Sequence, residues 1–422
     1  MQTVELSAIV PAHRLGEAVI QVVDADGRPC AGVEVTIAQT RHEFLFGNTG
    51  FDVQGGDEPG DAPGEEWMLS AAEADLWLQI HNAATLPFYW GRFEPTRGAP
   101  RTDEMRRTAQ WLRSRGVALK GHPLVWHTVT APWLLDLELD EIERAQRERI
   151  RRDVADFAGL VDTWDAINET VIMPVFDNGD NGITRLAKDR GRLAMLRLAF
   201  EEARETNPNA VLLVNDFDLS PAYERVIDEM LEAGIRPDVI GLQTHMHQGY
   251  RGEEEILAVA DRFACFDLPL HFTETTLLSG DLMPPEIDDL NDYQVTSWPS
   301  TAEGEARQAD EIERHYRSLV SHPAVEAITY WGFSDRGMWL GAPGGLVRAD
   351  GSPKPAYEAL RRIIAEEWWV SPATVRTDGE GRVRVSGFRG EYAMSVAGEP
   401  AVPVRLGRDA VVEEIRMSPT RP

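Results

Sequence analysis

AVLLVND, residues 210–216, carries five successive apolar side chains and then an amide and a carboxylic acid. A half-buried strand alternates apolar and polar residues, whereas a strand apolar on both faces belongs in a parallel sheet covered by helices. VIGL (239–242) has the same character. Asn207-Pro208-Asn209 separates AVLLVND from a helix-like stretch before it. Further out, Thr102 reads as a helix N-cap, with Met105, Ala109 and Leu112 on one face and Gly116 as the stop. Ala309, Ile312, Tyr316 and Leu319 repeat at helical spacing before Pro323. Continued along the chain, this reading gives eight candidate strands, near 43–48, 83–88, 117–122, 161–167, 210–215, 238–243, 269–273 and 326–331. Eight such β-α units predict an α/β fold, a (β/α)8 or TIM barrel. An open doubly wound sheet is the rival, and no glycine-rich phosphate fingerprint supports it.

The two ends differ from this middle. Residues 1–40 read as short N-terminal β-strands, Ala18 to Val23 and Val33 to Ile37, joined through the turn DADGRP (24–29). The barrel pattern is placed at 41–367. After Trp368-Trp369, TVRTDGEGRVRVSGFRGEYAMSVAG (374–398) alternates strand runs with Asp-Gly and Gly-rich turns, giving a small C-terminal β module at 370–422. Neither end has enough apolar surface to stand alone, so the two are expected to pack together. The few aromatics of the tail, Phe388 and Tyr392, suggest bracing rather than carbohydrate binding.

Composition narrows the partners. Among 422 residues, 42 basic against 70 acidic side chains give a net charge of −28. Such a surface repels phosphate backbones and anionic lipids, so neither nucleic acid nor membrane is an expected partner. Cys30 and Cys265 form neither a disulfide framework nor a metal-ligand spacing. The start lacks a basic region followed by an apolar run, which favours a cytoplasmic location; a secreted chain trimmed of its leader would read the same. No cofactor is expected, and the oligomeric state is not legible.

Catalytic groups of such barrels sit at the C-terminal ends of the strands. Those ends read GHPLVWH (121–127), WDAINE (164–169), LLVND (212–216), GLQTHMH (241–247), HFTET (271–275) and YWGFSDRGMW (330–339). One rim thus collects Glu169 and Glu274, Asn168 and Gln243, His122, His127, His245 and His247, and the indoles Trp126, Trp331 and Trp339. A lone glutamate at a strand end is more often a cap or an ion-pair partner, and a lone rim tryptophan is more often packing. Their joint occurrence at successive strand ends is what suggests chemistry. Glycosidic cleavage needs one carboxyl to protonate the leaving oxygen and another to attack the anomeric carbon or activate water. Indole faces pack on sugar rings, while amides and imidazoles bond the hydroxyls.

These motifs, followed by PKPAY (353–357), are similar in order and spacing to the series of glycoside hydrolase family 10, (β/α)8-barrel retaining endo-β-1,4-xylanases and related β-glycanases. The resemblance covers roughly residues 30–365, VTIAQTRHEFLFG (35–47) included. It implies that Glu169 is the general acid/base and Glu274 the nucleophile. It further implies that Asn168 bonds the 2-hydroxyl of the sugar at the cleavage site, and that His245 bonds the nucleophile. His122, Trp126, Gln243, Trp331 and Trp339 would shape the neighbouring subsite. On this division of labour Glu274 is expected to be held anionic and Glu169 to be raised in pKa. The implied partner is a β-linked oligo- or polysaccharide, and the implied chemistry is metal-independent.

Departures from the family pattern accompany the match. After strand 2 the family carries a Glu-Asn pair and a Lys; here the stretch is Thr85-Leu-Pro-Phe-Tyr-Trp90. Val129 replaces a glutamine, Thr276 the aspartate that supports the histidine, and Asp218 an asparagine. Leu86, Pro87, Phe88 and Val129 are therefore expected to make a less polar glycone pocket, with specificity altered from plain xylan. Two long acidic connections, 54–66 after strand 1 and 279–300 after strand 7, are candidates for reshaping the cleft, and Trp298 is either a sugar platform or loop packing. Two rivals stand beside this reading. One is a carbohydrate-binding protein on an inactive scaffold. The other is a metal-dependent barrel hydrolase using His122, His127, His245, His247 and Asp216.

Overall fold

Leu45–Thr49 (β1), Ala83–Pro87 (β2), Ala118–His122 (β3), Thr163–Asn168 (β4), Val211–Asp216 (β5), Val239–His245 (β6), Leu270–Thr276 (β7) and Val325–Tyr330 (β8) close into one barrel. The computed structural model describes residues 3–4, 10–53, 68–396 and 400–416. Helices follow the strands, among them Ala71–Ile80, Thr102–Ser114, Leu139–Asp156, Pro221–Glu232, Glu253–Ala264 and Ala302–Ser321. Residues 212–214 and 239–242 are fully or almost fully buried, as strands enclosed on both faces must be. Trp164 on β4 lies over Gly121 on β3, where an added Cβ would meet the indole at 2.2 Å. That close approach lets a large ring fill the interior.

Helix starts show one correction. Thr102 is the first helical residue and Arg101 the cap, with no side-chain capping bond. Asp103 and Glu104 instead place negative charge at the positive end of the helix dipole. Gly116 follows the helix in the left-handed region at φ 77°, where glycine carries no side-chain penalty.

The chain divides into two units, Phe46–Tyr357 and Met1–Leu45 with Glu358–Pro422. In the second, Arg382–Phe388 pairs antiparallel with Leu15–Val23, whose other edge pairs parallel with Val411–Arg416. Glu34–His42 lies between Ala373–Arg376 and Gly390–Val396 in a second sheet. Ala18, Ile20 and Val22 alternate inward and join Val35, Ile37, Val383, Val385, Met394 and Leu406 in one core. Phe388 and Tyr392 are both buried in this unit, and the Tyr392 hydroxyl donates to Phe388 O at 2.7 Å. Neither presents its ring face to solvent. Among the described residues no helix is long and apolar enough to cross a membrane.

Candidate active site

The barrel brings Glu169 and Glu274 to one network from the ends of β4 and β7. Both strands are irregular just before their acid: pairing shifts between Asp165 and Ile167 on β4, and between Phe272 and Glu274 on β7. Such bulges re-aim a side chain away from the regular alternation. Glu169 itself adopts φ 57°, a left-handed conformation that costs a non-glycine residue about 1–2 kcal/mol. The surroundings hold it there: its N–H donates to Asn215 O at 2.8 Å and its carbonyl accepts from Met173 N. Asp216, buried on β5, accepts from Val171 N at 3.0 Å and so fixes the turn just beyond Glu169.

Three donors address the Glu169 carboxyl. Trp126 Nε1 donates to Oε2 at 2.8 Å; Asn168 Nδ2 and Gln243 Nε2 lie 3.2 and 3.5 Å from Oε1. His127 Nε2 is 3.7 Å away. Glu274 accepts from Asn215 Nδ2 at 2.9 Å and contacts His245 Nε2 at 3.2 Å. A line of amides joins the two acids: Asn215 Nδ2 also donates to Asn168 Oδ1 at 2.8 Å, as Gln243 Nε2 does at 3.0 Å. The Asn168 carbonyl is thereby occupied within the protein, leaving its second Nδ2 hydrogen for a ligand. Thr273 donates to Asn215 Oδ1 at 2.6 Å, and a Cβ at residue 241 would lie 2.3 Å from that oxygen, so Gly241 makes room for the amide.

Burial dominates the electrostatics. Desolvation pushes the Glu169 carboxyl up to about 8, opposed by the Trp126 bond and helped by the charges of Glu274 and Asp216. Glu274 is also pushed up, to about 7, by the same cause. The expectation of a firmly anionic Glu274 is not met: its Asn215 bond and the nearby His122 and Lys120 charges oppose burial without overcoming it. His245 is held neutral, its pKa lowered to about 3 by burial. Its Nδ1 meets the Thr276 hydroxyl at 3.0 Å. A threonine hydroxyl can donate to Nδ1 and leave the proton on Nε2, facing Glu274. Thr276 thus supports the imidazole without the charge an aspartate would bring.

The remaining predicted residues surround this centre. His122 Nδ1 bonds buried Asp165 Oδ2 at 2.7 Å, and Lys120 Nζ lies 2.8 Å from the same oxygen. Trp331 stands edge-on to His122 and to Phe51 at 5.3 Å, and Trp339 lies 5.0 Å from His245. The sequence reading missed Tyr89, whose ring is 5.6 Å from His122 and 5.4 Å from Trp126. It placed Asn215 at a strand end without giving it a role, and it missed Lys120 and Asp165. The expected apolar glycone pocket needs correction: Leu86 and Phe88 are fully buried, and Phe88 packs among Phe93, Phe157 and Trp164. The chain turns into a short helix at Trp90–Phe93, so Phe88 points to the core and Tyr89 to the site. Val129 is exposed.

Trp298 bonds Asp281 O through Nε1, packs against Tyr293 and lies 6.4 Å from the His247 ring. The connection 54–66 lies outside the described residues. Among the described residues no three or more His, Cys, Asp or Glu form a group that could hold a metal ion. His122, His245 and Asp216 each bond protein partners instead.

The model for Glycosyl hydrolase family 10 matches residues 87–363. The anti-sigma-I factor RsgI6 of Acetivibrio thermocellus is 26% identical over 384 residues, 89% of this chain but only 44% of its own length. Endo-1,4-beta-xylanase B of Thermotoga neapolitana is 26% identical over 298 residues, 66% of this chain and 78% of that one. Among solved structures, xylanase 10B from Thermotoga petrophila RKU-1 in complex with xylobiose has TM-score 0.62 at 22% identity, over 77% of this chain and 95% of that one. That likeness concerns the fold.

Proposed function

The chain belongs to glycosyl hydrolase family 10, and from that premise we propose that it is a retaining β-glycoside hydrolase acting on a β-linked oligo- or polysaccharide. One observation carries the proposal: two buried carboxyls from the ends of β4 and β7 share one amide network, and Trp126 bonds the first of them. Glu169, protonated at neutral pH, gives its proton to the glycosidic oxygen as the carbon–oxygen bond breaks. The Glu274 carboxylate attacks the anomeric carbon and forms a glycosyl ester. Glu169, now ionised, takes a proton from water, whose oxygen displaces Glu274 and releases the sugar with its configuration retained. His245 and Asn215 stabilise the carboxylate before attack and after release.

Glycone preference altered from plain xylan is supported by the side chains after β2. The polar trio of the family pattern is missing there, and Tyr89 instead makes ring contacts with Phe51 and Trp126. A second reading, sugar binding without turnover, draws on the missing polar trio, on Thr276 and on the elevated Glu274 pKa.

A panel of aryl β-glycosides and β-glycans separates the two readings. Turnover with retained anomeric configuration is expected, slower on unsubstituted xylan than on the best substrate. Glu169→Ala and Glu274→Ala should each lose at least about a thousandfold while keeping the circular dichroism of the parent. Binding without hydrolysis between about pH 5 and 9 would leave the carbohydrate-binding reading in place.

A further inference from the structure

Residues 279–300 follow β7, and the two ends of the segment meet in a closed neck before the helix Ala302–Ser321. Gly280 bridges Ser300, and the Ser279 and Ser300 hydroxyls are 2.7 Å apart. Beyond the neck the segment is tied to three other strand-end loops. Trp339, after β8, donates to Asn291 Oδ1 at 3.3 Å. Gln248, after β6, donates to Pro284 O and Ile287 O at 3.0 and 2.8 Å. Asn178, after β4, donates to Asp289 Oδ2 at 3.2 Å. In the closed order of strands, a segment rooted at β7 and tied to the β6 and β4 loops runs along the β5–β6 arc of the barrel mouth.

Part of the site faces that same arc. Besides Trp126 and His127 from the β3 end, Glu169 is approached by Gln243 from β6 and feels the charge of Asp216 from β5. Ring contacts join Tyr89, His122 and Trp331, from the ends of β2, β3 and β8, on the other side. A general acid stands on the side to which the leaving group departs. We propose that segment 279–300 is a strap that bounds the leaving-group side of the cleft, so that the protein removes short leaving groups instead of cutting long chains internally. This rests on the hydrolase reading above. Asn178, Gln248 and Asp289 are then specificity-determining residues that act through the strap's position, not through the reaction.

Two variants test it: the triple change Asn178→Ala, Gln248→Ala, Asp289→Ala, and a shortened strap with residues 284–296 replaced by Gly-Ser-Gly. Each full-length protein is given xylohexaose carrying an isotope label at its reducing end, and labelled fragments are sized by mass spectrometry. The parent should release labelled mono- and disaccharide. The variants should release labelled fragments of three or more sugars at least about fivefold more often, with turnover of an aryl β-glycoside within twofold of the parent. In parallel, calorimetric titration of the Glu169→Gln forms with xylotriose and xylohexaose should show hexaose gaining at least fivefold over triose once the strap is cut. Equal fragment patterns with an equal length dependence of binding, or with no binding in any form, overturn the strap. A shift in binding without hydrolysis in any form upholds the strap and refutes the catalytic reading.

Discussion

Replacing Asn215 with Ala removes one side chain that the structure places between the two acids. Its Nδ2 donates at 2.9 Å to Glu274 and at 2.8 Å to Asn168, and its Oδ1 accepts from Thr273. A hydrogen bond to a charged group contributes about 1.5–3 kcal/mol, and a pKa unit corresponds to about 1.4 kcal/mol. The Glu274 carboxyl, already at about 7, should therefore rise by about 1–2 units in the variant. The nucleophile must be ionised, so kcat/KM climbs with pH through this titration. At about pH 6 the variant should lose about 10- to 100-fold, with the acid limb displaced upward by the same 1–2 units. The Thr273 hydroxyl, left without its buried acceptor, should lower stability by about 1–3 kcal/mol, measurable by urea unfolding. The assay is the pH dependence of kcat/KM on an aryl β-glycoside. A uniform loss with the acid limb in place would refute the reasoning, since Asn215 would then merely hold the fold.

Further outcomes follow from the same network. The parent should show a narrow bell in kcat/KM, its limbs governed by apparent values near 7 and 8 that belong to the coupled pair; an optimum near pH 5 in a stopped assay would contradict it. Glu169→Gln should stabilise the fold above the pKa of a free glutamate. The native carboxyl is raised, so the folded state holds a proton that the unfolded chain releases, and parent stability falls as pH rises from about 4.5 toward about 8. Thermal melts should show the variant ahead by on the order of 4 kcal/mol at pH 8 and level with the parent at pH 4. Thr276→Asp should restore an anionic partner to His245 Nδ1, favour the imidazolium beside Glu274 and move the acid limb to lower pH; a limb that stays put, or moves up, disproves this account of the histidine.

The barrel was legible because its signal is local. AVLLVND and VIGL show burial on both faces by composition alone, and the eight-fold recurrence of such runs between amphipathic segments leaves few other architectures. Phe88 and Tyr89 show where that logic stops. Both are aromatic and adjacent, yet one fills the space beside Trp164 and the other faces His122, because the strand ends at Pro87 and the chain turns. Strand alternation cannot be extended across a turn. Thr102 illustrates the same limit at a helix start, where a one-residue shift moves the capping position.

The sequence by itself determined the type of sheet and the strand ends at which the acids, amides and indoles stand, because apolar runs and their polar endings are written in consecutive residues. Only the tertiary structure decided that Asn215 links Glu274 to Asn168, that Asp165 bonds both His122 and Lys120, and that burial lifts both carboxyls. Those properties depend on distances between side chains from different strands and on water excluded by the whole barrel. No single stretch of the chain encodes either quantity.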